Sequence, residues 1–202
     1  MIKNKIDTVI FDIGNVLMEF DYMPFIKKLL GDDETVEHVN NAIWRTRYWD
    51  ELDRGEDTEK MLAKMIAAEP GYEEQIRITF DRVCECMKGC DYAIPWIRSL
   101  QKQGFRVLYL SNYSPYAMAA KPDALNFVPF MDGGIFSCDV RINKPDPEIF
   151  RLLIAKYDLT PGNCIFIDDN LDNIETAGKL GFNAIQFRGY EQASREVELL
   201  LP

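Results

Sequence analysis

The chain of 202 residues contains a single histidine, His38, and this scarcity excludes several kinds of chemistry. A zinc site built from several histidines is impossible, and a serine–histidine–aspartate triad would have to use His38. The neighbours of His38, which are Glu37, Val39 and Asn40, form a helical pattern. We therefore interpret His38 as an ordinary residue on a helix surface.

Cysteine is also sparse, and its number is odd: Cys84, Cys86, Cys90, Cys138 and Cys164. An odd number in a chain of this length does not indicate a secreted disulfide scaffold. The spacing of the first three is not a common zinc or redox spacing. We interpret all five as reduced structural thiols.

The chain lacks both an excess of basic residues and a long apolar run. Lys and Arg number 23 against 33 for Asp and Glu, which gives a formal charge of -10 and argues against nucleic acid or an anionic membrane as a partner. No stretch approaches the roughly 18 apolar residues of a membrane span, and the first residues do not form a signal-peptide pattern. We therefore expect a cytoplasmic protein, with its oligomeric state left open.

Strands and helices alternate in most of the chain, which predicts an α/β fold with a parallel sheet. A short apolar strand, Thr8–Phe11, comes first, and an extended piece over 16–20 follows it. The later strands are predicted over 105–110, 134–137, 164–167 and 184–187. The later helices are predicted over 94–102, from 114 onward, and over 148–157, 171–180 and 191–200.

The stretch 21–90 has a different character, because it reads as helices without a convincing strand. The helices are predicted over 22–30, 34–50, 59–68 and 73–87. This stretch has the size of a small helical bundle. We therefore predict a core formed by residues 1–20 and 91–202, with a helical domain inserted at 21–90.

Polar side chains follow three of the predicted strands, namely Asp12, Ser111 with Asn112, and Asp168 with Asp169. In open α/β sheets, ligands bind beyond the carboxyl ends of the strands, so these groups are expected at one rim. Carboxylate oxygens suit Mg²⁺, and hydroxyl and backbone N–H donors suit phosphate oxygens. With Lys144 as a counter-charge, the rim has the components of a phosphoryl-transfer site.

Four segments carry a resemblance to a known family: residues 10–17, 108–112, 144–150, and 165–170 together with Asn173. They resemble, in order, the four motifs of the haloacid dehalogenase (HAD) superfamily. The start Asp-x-Gly-Asn-Val resembles a subgroup with a helical, C1-type cap, some of whose members are glucose-1-phosphate phosphatases. The resemblance implies a Rossmann-like core with the 21–90 stretch as its cap.

The resemblance also implies roles for the rim residues. Asp12 would be the nucleophile that forms an aspartyl-phosphate. Ser111 and the backbone at Asn112 would hold the phosphoryl oxygens. Lys144 would link the nucleophile to the phosphate and offset negative charge.

The metal site implied by the resemblance holds Mg²⁺. Its ligands would be Asp12, the backbone carbonyl of Gly14, Asp169 directly, and Asp168 directly or through water. Asn173 would support this loop. The implied substrate is a small phosphorylated metabolite.

Gly14 departs from the family pattern, because most phosphatases of the family have there a second aspartate that acts as general acid and base. Loss of such a group costs on the order of 10²–10⁴ in rate. Substrates with acidic leaving groups, such as sugar 1-phosphates and aryl phosphates, should suffer least. A replacement donor could come from Asp50, Glu51 or Asp53, whose positions the sequence does not fix.

Two other functions stay open at this point. A 2-haloacid dehalogenase would use the same nucleophile, but it needs no metal, and it usually carries an arginine that is absent from residues 21–33. A phosphate-binding or partner-binding protein with little turnover is the second alternative. The residues Trp44, Arg45, Arg47, Tyr48 and Trp49 could read a substrate, but we interpret the aromatic ones as helix-packing residues.

Overall fold

Five parallel strands form the central sheet of the protein in the computed structural model, which describes residues 6–201. The α/β prediction is therefore confirmed, while residues 1–5 and 202 of the predicted core lie outside the described part. The strands are β1 Thr8–Phe11, β2 Met18–Glu19, β3 Lys88–Gly89, β4 Arg106–Ser111, β5 Gly133–Phe136, β6 Cys164–Asp168 and β7 Asn183–Gln186. The order in the main sheet is β5-β4-β1-β6-β7, and β2 pairs with β3 in a separate antiparallel ribbon.

Eleven α-helices are described among residues 6–201. They are α1 Tyr22–Leu30, α2 Asp33–Asn40, α3 Tyr48–Asp53, α4 Thr58–Ala68, α5 Glu73–Arg82, α6 Ala93–Lys102, α7 Pro115–Ala120, α8 Ser137–Val140, α9 Pro147–Tyr157, α10 Leu171–Lys179 and α11 Tyr190–Leu200. Short 3-10 helices cover Pro70–Tyr72, Val83–Cys86, Pro122–Leu125, Val128–Phe130 and Pro161–Asn163. In the described part of the chain, no helix has both the length and the apolar composition needed to cross a membrane.

Helices cover both faces of the sheet because its central strands are apolar on both sides. Every residue of β1 and β6 is buried. Successive side chains of a strand point to opposite faces, so that Val9 and Phe11 pack with residues of α6 and α11, whereas Ile10 packs with residues of α9 and α10. Such two-sided burial is typical of parallel sheets.

The sheet register brings the ends of β1, β4 and β6 to one edge. Phe11, the last residue of β1, lies beside Tyr109 of β4 and Ile167 of β6. The backbone N–H of Asp12 extends this ladder by donating to the carbonyl of Ile167 over 2.8 Å. Residues that follow these three strands are therefore neighbours in space.

Helices α1 to α5 lie between β2 and β3, and we call them the helical insertion. The two chain passages at its base are tied together, since β2 pairs with β3 and the N–H of Cys90 donates to the carbonyl of Leu17 over 2.9 Å. The prediction of no strand in 21–90 was wrong at Lys88–Gly89. A two-residue ladder carries too little alternation to appear in a sequence pattern.

The single helix predicted over 34–50 is also corrected. Helix α2 ends at Asn40, the chain continues as a π-helical turn over Asn41–Arg45, and α3 begins only at Tyr48. Arg47 adopts a left-handed conformation with φ of 63°, which no α-helix continues through. The Thr46 hydroxyl donates to the carbonyl of Ala42 over 2.7 Å and stabilises this break.

The helix predicted over 73–87 is shorter than expected, because α5 ends at Arg82 and a 3-10 turn over Val83–Cys86 follows. The short helix α8 was not predicted. The other predicted elements are observed with ends shifted by one or two residues.

Close packing between β4 and β5 requires a glycine at position 134. A Cβ atom there would overlap the backbone oxygen and the ring of Tyr109. We expect Gly134→Ala to lower the free energy of unfolding by about 1–3 kcal/mol, as overpacking does. The matched control is Gly178→Ala in α10, where a Cβ meets no atom within 4 Å. The control should be neutral or stabilising by up to about 1 kcal/mol in urea denaturation, and a neutral Gly134→Ala would contradict the packing described here.

Candidate active site

A polar cavity of about 260 Å³ lies at the carboxyl edge of the sheet, and we call it the rim cavity. Its lining residues are Asp12, Gly14, Asn15, Ser111, Asn112, Lys144, Asp169, Asn170 and Asn173. The structure thus brings together the residues selected from the sequence. The exception is Asp168, which is fully buried next to the cavity wall and contacts Lys144.

Lys144 joins the carboxylates that follow two neighbouring strands. Its Nζ lies 2.9 Å from Oδ1 of Asp12 and 2.6 Å from Oδ2 of Asp168. The lysine side chain is 1% exposed, so water screens these contacts little. A buried cation therefore offsets part of the negative charge at this edge.

Burial and charge shift the pKa values of this cluster in a consistent way. Burial raises the pKa of Asp12 to about 7, because the lowering by Lys144 is smaller and Asp168 adds a further rise. Burial by itself would lower the pKa of Lys144, but attraction to Asp12 and Asp168 outweighs it and raises that pKa. Burial is the main cause that raises the pKa of Asp169, and repulsion from Asp168 adds to the rise. The site is short of positive charge.

Hydrogen bonds fix the orientation of both joined carboxylates. The N–H of Ile13 donates to Oδ1 of Asp12 over 2.7 Å, the same oxygen that contacts Lys144. Among residues 6–201, Oδ2 of Asp12 accepts no hydrogen bond. Asp168 differs, since Nδ2 of Asn173 lies 3.0 Å from both of its oxygens and the N–H of Asn170 donates to Oδ1 over 2.9 Å. Asp12 therefore keeps a free oxygen, whereas Asp168 is fully engaged.

Asn112 holds the backbone that carries Lys144. The N–H of Lys144 donates to Oδ1 of Asn112 over 2.8 Å, and Nδ2 of Asn112 donates to the carbonyl of Lys144 over 3.0 Å. The side chain of Asn112 is thus occupied, which leaves its backbone for the substrate contact expected at this position. Ser111, 1% exposed, ends β4 and lines the same cavity.

Asn15 belongs to the rim cavity although the sequence analysis assigned it no role. It has a left-handed φ of 55°, its Nδ2 donates to Oδ2 of Asp169 over 3.4 Å, and its Oδ1 accepts from the N–H of Phe20 over 3.2 Å. Asparagine tolerates this conformation better than most residues, and its position after Gly14 was the available signal. Asn15 links the turn after β1 to the acidic pair after β6.

The donor set fits a divalent cation that prefers oxygen. One carboxylate oxygen each from Asp12, Asp168 and Asp169 lies within 4.8 Å of the others. Oδ1 of Asn173 is buried and has no hydrogen-bond partner in the described part of the chain. Oxygen ligands and a capacity for bound water suit Mg²⁺. Asp12 and Asp169 would hold the ion, and Gly14, whose carbonyl is the further ligand expected from the sequence, lines the same cavity.

A second cavity, of about 210 Å³, adjoins the rim cavity and shares Gly14 and Asn112 with it. We call it the aromatic cavity. Its other lining residues are Met18, Phe20, Tyr22, Trp44, Trp49, Asp53, Met87, Tyr113 and Ala117. Trp44 and Trp49 thus do more than pack helices together. Arg45 and Arg47, by contrast, are exposed and pair with Glu37 and Asp50.

The structure separates the three acids considered as proton donors. Asp50 lies 2.7 Å from Arg47, and Glu51 lies 2.7 Å from Arg54. Asp53 instead lines the aromatic cavity together with Gly14. Burial, with smaller contributions from Asp50 and Asp12, raises the pKa of Asp53 well above its usual value of 3.8.

The fold and the site together define an α/β enzyme with a carboxylate–lysine centre at the carboxyl edge of its sheet. The sequence profile of the haloacid dehalogenase-like hydrolase family matches residues 6–181. The chain belongs to this family, and the prediction of a HAD-type hydrolase is confirmed.

Individual relatives agree with this assignment. A D-ribitol-5-phosphate phosphatase of Bacteroides thetaiotaomicron is 28% identical over an alignment that covers 100% of this chain and 99% of the relative. A structure of a predicted HAD-like hydrolase from Porphyromonas gingivalis has a TM-score of 0.75 at 24% identity, covering 96% of this chain and 98% of that one. A HAD enzyme of Bacteroides thetaiotaomicron in complex with magnesium and inorganic phosphate has a TM-score of 0.71 at 18% identity, with coverages of 90% and 93%.

The raised pKa of Asp53 predicts a pH-dependent stability. In the unfolded chain the carboxyl group of Asp53 loses its proton near pH 3.8, whereas in the folded protein it keeps the proton to a higher pH. Its stability contribution is therefore complete below the unfolded pKa and is lost as the pH rises through the folded pKa. Replacement of Asp53 by asparagine should raise Tm at pH 8 by about 2–4 °C, which corresponds to about 1 kcal/mol at this chain length, and should change Tm little at pH 4.

Thermal unfolding without added magnesium measures this effect. The matched control is Asp33→Asn, an exposed acid of α2 that lies 3.7 Å from Lys27 and is not among the groups that raise the pKa of Asp53, and this control should not raise Tm at pH 8. Equal Tm changes for Asp53→Asn at pH 4 and pH 8 would contradict the raised pKa of this carboxyl group.

Proposed function

We propose that the protein is a Mg²⁺-dependent phosphatase that acts on a small phosphorylated metabolite, with Asp12 as its nucleophile. The observation that carries the proposal is the Lys144 ammonium held between Asp12 and Asp168 at the edge of the rim cavity. Oδ1 of Asp12 is bound there, and Oδ2 is left free to react.

The reaction proceeds in two displacements. Oδ2 of Asp12 attacks the phosphorus atom and the bond from phosphorus to the leaving-group oxygen breaks, which gives an aspartyl-phosphate and a leaving-group oxyanion that takes its proton from water. Water then attacks the phosphorus atom, which releases inorganic phosphate and restores the carboxylate of Asp12. Catalysis of this kind depends mainly on positioning and charge neutralisation.

The other residues act on the charges of this reaction. Lys144 contacts the nucleophile and faces the same cavity, so its ammonium offsets charge on the phosphoryl oxygens. The hydroxyl of Ser111 and the backbone at Asn112 donate to those oxygens. Asn173 positions Asp168, which in turn positions Lys144. Bound Mg²⁺ would neutralise charge on the phosphoryl group. Its ligands would be Asp12, Asp169 and the carbonyl of Gly14, and the buried carboxylate of Asp168 would add negative charge next to the ion.

The relatives support this proposal. The full-length relative from Bacteroides thetaiotaomicron is named a phosphatase, and the structural relative with magnesium and phosphate has the same fold. We further propose that the helical insertion is a cap domain over residues 21–90 on a core of residues 1–20 and 91–202, as in the C1-type subgroup. The cytoplasmic location and the absence of nucleic-acid and membrane partners stay predictions.

Gly14 leaves the leaving-group oxygen without an aspartate at the usual position of the proton donor. Ester cleavage should then depend on how well the leaving group tolerates negative charge. For this reason we retain sugar 1-phosphates as candidate substrates. Some members of the subgroup that the first motif resembles are glucose-1-phosphate phosphatases. Dehalogenation is disfavoured because no arginine lines either cavity, whereas a substrate carboxylate would need one.

Hydrolysis of p-nitrophenyl phosphate tests the proposal. We expect turnover with Mg²⁺, loss of turnover with a chelator, and a fall of at least about 10³-fold in kcat for Asp12→Asn, because the nucleophile is lost. The control is Asp172→Asn, an exposed acid of α10 outside the rim cavity. Metal-free halide release from 2-chloropropionate would show a dehalogenase instead, and phosphate binding without turnover would show a binding protein.

The role of Gly14 is tested with phosphate esters graded by leaving-group acidity. The wild type should hydrolyse aryl esters much faster than alkyl esters. Gly14→Asp should raise kcat/KM for an alkyl ester by about 10²-fold, because a proton donor contributes that much or more, and a Cβ atom at position 14 meets no atom within 4 Å. A flat profile in the wild type would show that another acid, with Asp53 the first candidate, already donates the proton.

A further inference from the structure

We propose that the alcohol portion of the substrate is a small apolar group about the size of one aromatic ring, and that it binds in the aromatic cavity. The inference rests on the proposed function, because it concerns the group that leaves when phosphorus is transferred to Asp12. It differs from the polyol phosphate that the relative from Bacteroides thetaiotaomicron is named for, and it takes precedence over the sugar 1-phosphates, which leaving-group acidity alone favours.

The position of the aromatic cavity decides what enters it. Gly14 and Asn112 line this cavity and the rim cavity alike, so the two spaces meet at these residues, and Asp12 lines the rim cavity on the other side of this junction. A phosphoryl group at the free oxygen of Asp12 occupies the rim cavity. The atoms attached to it through the ester oxygen then extend past Gly14 into the aromatic cavity.

Stacked rings form the walls of the aromatic cavity. Tyr22 and Trp44 are parallel within 10° with centroids 3.9 Å apart, and Phe20 and Trp49 stack at 5.8 Å. Rings that pack against each other in this way lose little further freedom when a ligand binds. The cavity is therefore preformed for a flat or apolar group.

Most polar atoms of the wall already have partners within the protein. The hydroxyl of Tyr113 contacts the sulfur atoms of Met18 and Met87 at 3.6 and 3.7 Å, and the hydroxyl of Tyr22 donates to Asn40 over 3.4 Å. The Asn112 side chain is occupied by the backbone of Lys144.

Two polar side-chain groups of the lining residues are left: the carboxyl group of Asp53, and the indole N–H of Trp44, which is buried and has no acceptor among residues 6–201. A polyol would bury more hydroxyl groups than these two can satisfy, and burying an unpaired hydroxyl is unfavourable. No Lys or Arg lines the cavity, so a leaving group with a second phosphate or a carboxylate has no counter-charge.

The volume sets the size of the group. An apolar cavity of about 150 Å³ is large enough to bind benzene, and the aromatic cavity measures about 210 Å³. One six-membered ring with a short substituent therefore fills it. A three-ring system would not fit.

Benzyl phosphate and ribitol 5-phosphate test the inference, because both are esters of primary alcohols and differ little in leaving-group acidity. We expect kcat/KM for benzyl phosphate to be at least about tenfold higher, which is the discrimination that one well-filled apolar contact provides. Acetyl phosphate, which has no such group, reports the phosphatase activity itself. If acetyl phosphate is hydrolysed but kcat/KM for benzyl phosphate is equal to or lower than that for ribitol 5-phosphate, the inference is overturned and the proposed function stands. If none of the three compounds is hydrolysed, the proposed function itself is overturned.

A variant that fills the cavity gives a second test. Ala117 is buried in its wall, and Ala117→Leu should lower the ratio of kcat/KM for benzyl phosphate over ribitol 5-phosphate by about tenfold. The matched control is Ala63→Leu on the exposed face of α4, which should leave the ratio as it is. An unaltered ratio in folded Ala117→Leu would contradict the inference.

Calorimetry on the wild-type protein with Mg²⁺ supplies a readout that needs neither turnover nor a variant. Benzylphosphonate should bind at least about tenfold more tightly than 2-hydroxyethylphosphonate. Equal affinities would overturn the inference.

Discussion

The contact on which the site depends is the buried ammonium of Lys144 between the carboxylates of Asp12 and Asp168. Removing three charged groups from water is costly, and their mutual attraction repays this only when geometry and hydrogen bonds are good. The protein meets that condition by placing the acids at the ends of two paired strands and bracing Asp168 with Asn173. The raised pKa of Asp12, about 7, shows that the compensation is incomplete. A site of this kind attracts a further cation.

The fold explains how loops of different sequence origin converge on this contact. The parallel register of β1 with β6 sets the spacing of Asp12 and Asp168, and β4 delivers Ser111 to the same edge. Asn112, which follows β4, then holds the backbone of Lys144 through two hydrogen bonds. The position of the lysine is therefore controlled by the segment that also carries the proposed phosphate donors. In the proposed mechanism, substitutions at Asn112 would act through Lys144.

Much of this arrangement follows from the sequence, because continuous apolar runs flanked by polar residues indicate buried parallel strands and their ends. The polar residues that follow the strands could be selected on that basis, whereas the roles of Gly14 and Asn173 came from the family resemblance. The break in the helix expected over 34–50 could not be predicted, since it depends on a left-handed Arg47 that a helical pattern does not reveal. The break separates α3 from α2, and Asp53 at the end of α3 lines the aromatic cavity together with Gly14. The aromatic cavity could not be predicted either: Trp44 and Trp49 were possible substrate-reading residues, but rings that pack helices and rings that line a cavity have the same spacing.

The most direct measurement of the central claim is the ¹⁹F NMR spectrum of the protein with beryllium fluoride, which mimics a phosphoryl group on a carboxylate. If Oδ2 of Asp12 is the free, reactive oxygen and Lys144 supports it, bound fluoride resonances should emerge on addition of Mg²⁺. They should be absent in Asp12→Asn and weakened in Lys144→Met. Bound resonances that persist in Asp12→Asn, or that form without a divalent cation, would contradict this account of the site.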